Sequence, residues 1–200
     1  LKAVVGRGGI LRPMPGGTYL VTQKMIDDLE IGIGAEHAAN LGGMLAKGIG
    51  DSQGIKSYIV DPVSVDEFEE VARISGLKEI ERKSQVHALN IKAVSYRRAK
   101  ELNRNLRDLN LVVAHLGGGI SICPVKKGQM IDANNASEMG PFSPERTGGL
   151  PVGDLIDMCY SGKYSLEEMK KKIKGQGGLM SYLDTIDGRV VEGKINAGDE

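Results

Sequence analysis

The first sixty residues alternate between short apolar runs and loops rich in glycine and proline. Three runs predict strands: AVV at 3–5, TYLV at 18–21 and SYIV at 57–60. Apolar residues at helical spacing predict helices over 22–30 and 35–46, between the second and third strands. Pro62 ends the third strand, because proline lacks the N–H that a strand ladder needs, and Asp61 is left at its tip.

The next forty-odd residues predict two helices. In the sequence SVDEFEEVARISG, Ser64 and Glu67 form an S-x-x-E capping box and Gly76 closes the segment, which predicts a helix. Residues 92–108 predict an amphipathic helix. Its predicted apolar face comprises Val94, Ala99, Leu102 and Leu106, and its basic side Arg97, Arg98, Lys100 and Arg104.

Three β-branched runs then follow in quick succession and predict an antiparallel unit of three strands. The runs are LNLVVAHL at 109–116, ISICPV at 120–125 and QMIDAN at 129–134. Only the turns GGG and KKG separate them, and such short connections can join only antiparallel neighbours.

The last sixty residues begin with a Gly/Pro-rich loop, MGPFSPERTGGLPVG, at 139–153. Two helices are predicted after it, over 152–162 and 165–175, and the second starts with a Ser165/Glu168 capping box. Residues 176–200 are expected to be mostly irregular.

Composition narrows the class of protein. The 200 residues are 40% hydrophobic and 26% charged, which is typical of a soluble globular protein. Lys plus Arg and Asp plus Glu each number 26, so no basic surface for nucleic acid is expected. Neither a membrane span nor a secretory segment is expected, which predicts a cytoplasmic protein. Cys123 and Cys159 form no CxxC pair and are expected to be reduced core residues, without a disulfide or a zinc site.

The turn between the first two of those three strands contains three consecutive glycines, Gly117, Gly118 and Gly119. Residues without Cβ let backbone N–H groups converge on an anion, so the turn favours a phosphate-binding role over a plain hairpin turn. No Lys-Ser/Thr follows the glycines and they open a strand, which excludes a P-loop and a dinucleotide fingerprint.

Three histidines lie in polar, small-residue motifs: EHAAN at His37, VHALN at His87 and AHLGGG at His115. A lone histidine is more often structural, and three in such settings favour a site. His115 lies beside the glycine turn, where it can hydrogen-bond or, when protonated, neutralise a phosphoryl group.

The ordered set of motifs resembles the acetokinase family, in the superfamily of acetate and sugar kinases, Hsp70 and actin. The motifs are AVVGRGGILRPMPGGTY, EHAANLG, IVDP, VHALNIKAVSYRRA, VVAHLGGGISI and GPFSPERTGGLPVGDLID. The resemblance implies an α/β, two-lobed actin-like ATPase (ribonuclease H-like) fold. Residues 1–63 would be the C-terminal part of the first lobe and 64–200 the N-terminal part of the second, nucleotide-binding lobe.

The resemblance also implies an activity, namely reversible transfer of the γ-phosphoryl group of ATP to a short-chain carboxylate. ATP/ADP and Mg²⁺ would take part, the products would be an acyl phosphate and ADP, and a homo-oligomer is expected. Both lobes would be incomplete here, because the family's first phosphate hairpin is expected before residue 1. Its adenosine segment and metal-side glutamate are expected after residue 200, and the 200 residues alone are expected to lack activity.

Site residues follow from the resemblance position by position. His115 and His87 match two acetokinase active-site histidines, and His37 matches a third near the cleft. Asp61 matches the cleft aspartate that follows a short strand. The glycine turn would be the phosphate hairpin of the second lobe, and no protein metal ligand is assigned.

Two arginines are assigned by their chemistry. Acetate kinases have an arginine before the VV segment, where Ala3 stands here, so Arg7 is the candidate for the carboxylate. Arg146 is the candidate for the transferring phosphoryl group, although the family's arginine comes several positions later. Ile91 stands where acetate kinases have a second histidine, and these departures favour butyrate over acetate.

Other interpretations stay open at this stage. Arg7 and Arg146 could be surface ion-pair partners, and Asp61 a turn or capping residue. The acid could also be acetate, propionate or a branched chain. A non-catalytic nucleotide-binding or assembly module is a further alternative, because the family pattern is incomplete in these residues.

Overall fold

A computed structural model describes residues 1–199, which form two compact units. The first unit comprises Leu1–Val113 and Cys123–Ala133, and the second comprises Ala114–Ile122 and the chain from Asn134 onward. The strands are β1 (Ala3–Arg7), β2 (Thr18–Leu20), β3 (Lys56–Val60), β4 (Asn110–Leu116), β5 (Ile120–Lys126) and β6 (Gln129–Met130). The helices are α1 (Gln23–Glu30), α2 (Asn40–Gln53), α3 (Ala88–Glu101), α4 (Val152–Tyr160), α5 (Leu166–Ile173), α6 (Leu179–Leu183) and α7 (Gly188–Asn196).

The first sheet has the order β1-β3-β2 and confirms all three predicted strands. β1 runs parallel to β3, with Arg7 opposite Val60, and β2 runs antiparallel to β3. The parallel pair needs a crossover, and α2 packs against both of its strands. A Cβ on Gly6 of β1 would collide with the carbonyl oxygen of Gly42 in α2, so these glycines allow helix and strand backbones to approach closely.

The second sheet has the order β4-β5-β6 and confirms the predicted three-strand unit. β5 and β6 are antiparallel, with Val125 opposite Met130. Lys127 and Gly128 join them with φ of 54° and 84°. Two central residues with positive φ are typical of a two-residue hairpin turn that matches the strand twist.

Apolar packing in the first unit forms two main clusters. One joins α1 and β3 through Leu11, Val21, Ile26, Leu29 and Ile59. The other lies under the second sheet and includes Val65, Phe68, Ile91, Cys123, Val125 and Met130. Burial raises the pKa of the Cys123 thiol to about 12, as expected for an inert core cysteine. Cys159 is exposed, so its predicted core position is wrong.

The helix predicted over residues 64–76 is wrong. Only Glu70–Arg73 is helical, as a short 3₁₀ turn. Val65 instead forms a parallel bridge with Met14, and the Glu67 side chain bonds to groups distant in sequence. Tertiary partners therefore override the local helix signal.

Other helix boundaries also differ. α2 begins at Asn40, so the helix predicted from residue 35 starts too early and His37 lies in the preceding loop. α3 ends at Glu101, ahead of the predicted end at 108. Val94 and Leu102 of its predicted apolar face are exposed, while Lys92 is buried. Residues 176–199, expected to be irregular, contain α6 and α7.

The compact units divide the chain elsewhere than after residue 63, because residues 64–113 and 123–133 pack with the first 63. The assignment of residues 1–63 and 64–200 to the lobes of a longer protein stays a prediction. In the part of the chain that the structure describes, no helix has the length and apolar character that a bilayer crossing requires.

Candidate active site

The glycine turn of the second unit packs against an arginine. Gly119 is buried, and a Cβ built on it would collide with the guanidinium of Arg146. Arg146 Nη1 donates to the carbonyl oxygen of Ala136 at 2.7 Å, which holds the side chain in place. Its Nε is buried and has no hydrogen-bond partner among the described residues. A cation thus lies against a turn whose glycines leave room for it, an arrangement that suits the binding of an anion.

The other two glycines also have close neighbours. A Cβ on Gly117 would lie 3.1 Å from His115 Nε2, so the absence of a side chain lets the imidazole lie beside the turn. Gly118 is exposed, and a Cβ there would lie 3.6 Å from Glu145 Oε1. The structure thus brings His115, the turn and Arg146 together inside one compact unit, and their role in a site stays a prediction.

Residues 143–147, which carry Arg146, are held by backbone bonds to residues 173–180. Thr147 N donates to Ile173 O at 3.1 Å, and Gly175 N donates to Glu145 O at 2.7 Å. Arg146 itself forms an antiparallel bridge with Lys174. These bonds fix the segment although it has few apolar side chains.

In the first unit, Arg7 and Asp61 lie at the same end of the sheet. Arg7 is the last residue of β1, and its register partner Val60 directly precedes Asp61. The carboxyl ends of parallel strands are where α/β sheets commonly bind ligands. The structure therefore places these two predicted residues at one edge.

Asp61 has a φ of 39°, in the left-handed region that few non-glycine residues adopt. Its Oδ1 accepts from Gly17 N at 2.8 Å, and its own N–H donates to Gly17 O at 2.9 Å. Burial raises the pKa of the Asp61 carboxyl above its ordinary value, against the lowering effect of the Gly17 bond. Backbone strain and a shifted carboxyl together favour a functional role, although the Gly17 bonds equally fit a turn-forming one.

A buried ion pair lies next to Asp61. Lys92 Nζ lies 2.6 Å from Glu67 Oε2, and the two side chains are 8% and 7% exposed. Glu67 also accepts from Gly16 N at 3.0 Å and Met130 N at 2.8 Å, and Lys92 donates to Gly128 O at 2.8 Å. Asp61 and Lys92 both line a cavity of about 340 Å³, together with the backbone of residues 16–18 and Tyr96.

The remaining predicted histidines lie at helix starts in the first unit. His87 is the residue before α3, and its carbonyl accepts from Ile91 N at 3.0 Å. His37 is exposed in the loop before α2, where its Nδ1 accepts from Ala39 N at 3.1 Å. The helical position assumed for His37 is thus corrected, because Asn40 ties the loop down through Ile10 N and Ala35 O, and α2 begins only there.

The family model for the acetokinase family matches residues 74–200. The chain belongs to the acetokinase family. Probable butyrate kinase 2 of Caldanaerobacter subterraneus subsp. tengcongensis is 56% identical over 200 residues, which is 100% of this chain and 56% of that protein. Butyrate kinase 1 of Clostridium acetobutylicum is 54% identical over 201 residues, covering 57% of that protein. The chain therefore spans little more than half the length of these relatives.

Solved structures show the same fold. The acetate kinase of Porphyromonas gingivalis matches 100% of this chain and 53% of its own, with a TM-score of 0.84 at 22% identity. A propionate kinase of Francisella tularensis subsp. tularensis SCHU S4 matches 98% of this chain and 54% of its own, with a TM-score of 0.77 at 18% identity. The predicted α/β, actin-like ATPase fold is confirmed by these matches.

Two residues near the turn of this acetokinase chain could not be identified from the sequence. Ser143 and Asn134 both hold the turn or the strand that leaves it. Asn134 Oδ1 accepts from Ile122 N at 2.6 Å, and its Nδ2 donates to Ile120 O at 2.8 Å. Their only signal in the sequence is a place in Gly/Pro-rich or polar segments flanking Arg146. Such a signal does not reveal which backbone group each side chain binds.

Proposed function

We propose that the whole protein is an ATP-dependent carboxylate kinase that reversibly converts butyrate to butyryl phosphate. The observation that carries this proposal is the glycine turn with the Arg146 guanidinium against Gly119 and His115 beside Gly117. Membership of the acetokinase family and the similarity to proteins named butyrate kinase support the same conclusion.

In the proposed reaction, a carboxylate oxygen attacks the γ-phosphorus of ATP in line. The new P–O bond forms while the bond to the β-phosphate oxygen breaks, and ADP leaves with the bonding electrons. No proton transfer is needed at the attacking oxygen, because butyrate is already ionised near neutral pH. The protein must instead bring two anions together and offset their repulsion.

The roles divide accordingly. Arg146 and His115 offset the charge of the transferring group, and the amides of Gly117, Gly118 and Gly119 bind the nucleotide phosphates. Arg7, exposed at the end of β1, binds the carboxylate. We also assign His87, His37 and Asp61 to the active site, on the family resemblance alone.

Mg²⁺ is expected to accompany the nucleotide. Within residues 1–199 no group of three or more His, Cys, Asp or Glu side chains is placed to hold a metal ion. Protein Mg²⁺ sites often use one or two carboxylates with substrate phosphates, so no protein cage is required. We assign no step to the metal. The whole protein is proposed to act as a cytoplasmic homo-oligomer.

The decisive experiment measures acyl phosphate as its hydroxamate, with butyrate and ATP, for the complete gene product. Replacing His115 by alanine is expected to lower kcat by roughly 100-fold or more while the KM for ATP changes much less. Val112→Ala, an exposed position on the same strand, serves as the control and keeps normal turnover. Unchanged kcat in His115→Ala would remove His115 from the mechanism.

The same assay tests the acid and the need for the rest of the protein. Values of kcat/KM for acids of two to five carbons should peak at butyrate, with each methylene worth about 1–3 kcal/mol. A maximum at acetate or propionate would overturn the butyrate assignment. The 200-residue chain alone is expected to show no turnover, and measurable turnover would refute that expectation.

A further inference from the structure

The Ser143 hydroxyl is buried directly behind the glycine turn. Ser143 is 3% exposed, and its Oγ donates to the carbonyl oxygen of Gly118 at 2.7 Å. Its backbone is fixed as well, since Ser143 N donates to Arg146 O at 3.0 Å and Leu179 N donates to Ser143 O at 3.2 Å. A rigid platform therefore presents this hydroxyl to the turn.

The hydrogen bond sets the direction of a peptide group. The Gly118–Gly119 peptide is trans, so its N–H points opposite to its C=O. With the Gly118 carbonyl directed toward Ser143, the Gly119 N–H points away from Ser143. Neither glycine has a Cβ to restrict rotation of this peptide, and a specific hydrogen bond must supply the restraint.

Ser143 also belongs to the same tight segment as the arginine that packs on the turn. The bond from Ser143 N to Arg146 O closes residues 143–146 into a compact loop. One end of that loop holds the Gly118 carbonyl through Ser143, and the other holds the Gly119 face through Arg146. The loop thus contacts two successive residues of the turn, Gly118 by a hydrogen bond and Gly119 by packing.

We infer that Ser143 is a positioning residue of the phosphate turn: its hydroxyl holds the Gly118–Gly119 peptide with the Gly119 N–H directed at a nucleotide phosphate. This inference rests on the proposed function and names a residue that acts through the turn without touching substrate. Loss of the hydroxyl leaves the Gly118 carbonyl without this donor and frees the peptide to rotate.

The effect should fall on nucleotide binding more than on turnover. In the complete protein, Ser143→Ala is expected to raise the KM for ATP about tenfold with kcat changed less than about twofold, since ground-state phosphate binding is what weakens. Ser143→Thr keeps a hydroxyl and should restore the KM. Ser161→Ala is the matched control, because its hydroxyl also donates to a backbone carbonyl, Met158 O at 2.8 Å, but at an exposed helix end.

An unchanged KM in Ser143→Ala would overturn the inference, as would a fall in kcat alone or a Ser143→Thr variant as impaired as the alanine variant. If Ser143→Ala does not fold, as judged by its thermal unfolding, Ser143→Cys replaces it. The cysteine thiol is a weaker donor of similar shape, so its KM must lie between those of the serine and alanine proteins. A cysteine variant with the KM of the serine protein would overturn the inference equally.

Failure of the proposed function looks different. If the unaltered protein forms no acyl phosphate, the carboxylate kinase proposal fails. The inference about Ser143 is then read from calorimetric titration with ATP, where the dissociation constant of Ser143→Ala should still exceed that of the unaltered protein by about tenfold. Equal dissociation constants would overturn it.

Discussion

Two segments of the chain carry the same local signal, a serine followed three residues later by a glutamate, and only one of them forms a helix cap. Ser165 and Glu168 form the full capping box that begins α5. Ser64 and Glu67 form none, and the nearest helical residues are the 3₁₀ turn Glu70–Arg73. The local pattern is the same, so the difference must come from elsewhere.

The capping box of Ser165 and Glu168 is exposed, and its hydrogen bonds join only these two residues. Ser165 Oγ accepts from Glu168 N at 3.3 Å, and Glu168 Oε2 accepts from Ser165 N at 2.7 Å. Ser165 Oγ also donates to Glu168 Oε2 at 2.8 Å. The two bonds to this carboxylate, from Ser165 N first and then from Ser165 Oγ, lower the pKa of Glu168 below its ordinary value. No distant group competes for either side chain in the bonds described, so the local signal decides the structure.

At the first of the two sequences, Ser64 to Glu67, the glutamate bonds to residues that are distant along the chain. Glu67 binds Lys92 and two backbone N–H groups, of Gly16 and Met130. Ser64 Oγ is buried and has no partner among the described residues. A buried charged pair with added hydrogen bonds outweighs a cap worth about 1 kcal/mol. In this chain the capping sequence forms a helix cap where its glutamate is exposed, and forms none where its glutamate side chain is buried and paired with Lys92.

The largest effect is expected at Glu67. Glu67→Gln should lower the free energy of unfolding of the first unit by about 3–5 kcal/mol, because it leaves Lys92 buried without its counter-charge. Glu168→Gln, the matched change in the exposed box, should have a much smaller effect. Urea denaturation of both variants measures the two changes in the free energy of unfolding. Equal losses would contradict the claim that Glu67 matters more because it is buried and paired.

The next effect is expected at Ser165. Ser165→Ala should lower the opening free energy of α5 by about 1 kcal/mol through loss of the cap. Native-state amide hydrogen exchange over residues 166–173 measures this opening. Ser161→Ala lies outside the box and is the control. Unaltered protection in Ser165→Ala would show that packing alone holds the helix.

A smaller effect is expected from pH. Because the pKa of Glu168 is lowered in the folded chain, its contribution is present above the ordinary carboxyl pKa and is lost as pH falls through the lowered value. The exchange difference between the unaltered protein and Glu168→Gln should therefore shrink in acid, between the ordinary and the lowered pKa. A difference that stays constant from neutral pH into that range contradicts the role of the ionised carboxylate.

The smallest effect is expected at Ser64. Ser64→Ala should change the free energy of unfolding by no more than about 0.5 kcal/mol, or stabilise slightly, because the buried hydroxyl has no hydrogen-bond partner within residues 1–199. Thermal or urea unfolding measures it beside Ser165→Ala. A loss near 1 kcal/mol would mean that Ser64 caps after all.

The predicted elements that proved correct share a physical feature. The three strands of the second sheet, α4 and α5 follow from hydrophobic period and turn residues that act within a few positions. The errors at residues 64–76 and 35–46 occur where side chains bind partners far along the chain, such as Glu67 to Met130 and Asn40 to Ile10. Local patterns contain no information about such partners.

The candidate site divides in the same way. The glycine turn with His115 could be predicted, because adjacent residues of one hairpin are neighbours in any fold that forms it. Arg146 was selected for its charge. Only the structure shows that its guanidinium packs against Gly119, where a side chain would collide with it. Ser143 was not predicted, since its side chain acts on the turn through a bond to a carbonyl 25 positions earlier.

The sequence by itself determined the family, the hairpin with its three glycines and the residues with chemistry to offer. The tertiary structure decided which of those residues lie together and which glutamate caps a helix. The physical reason is the distance along the chain over which each effect acts. Turn geometry and helical period depend on residues only a few positions apart. Burial, ion pairing and the packing of Arg146 on Gly119 depend on segments that only folding brings into contact.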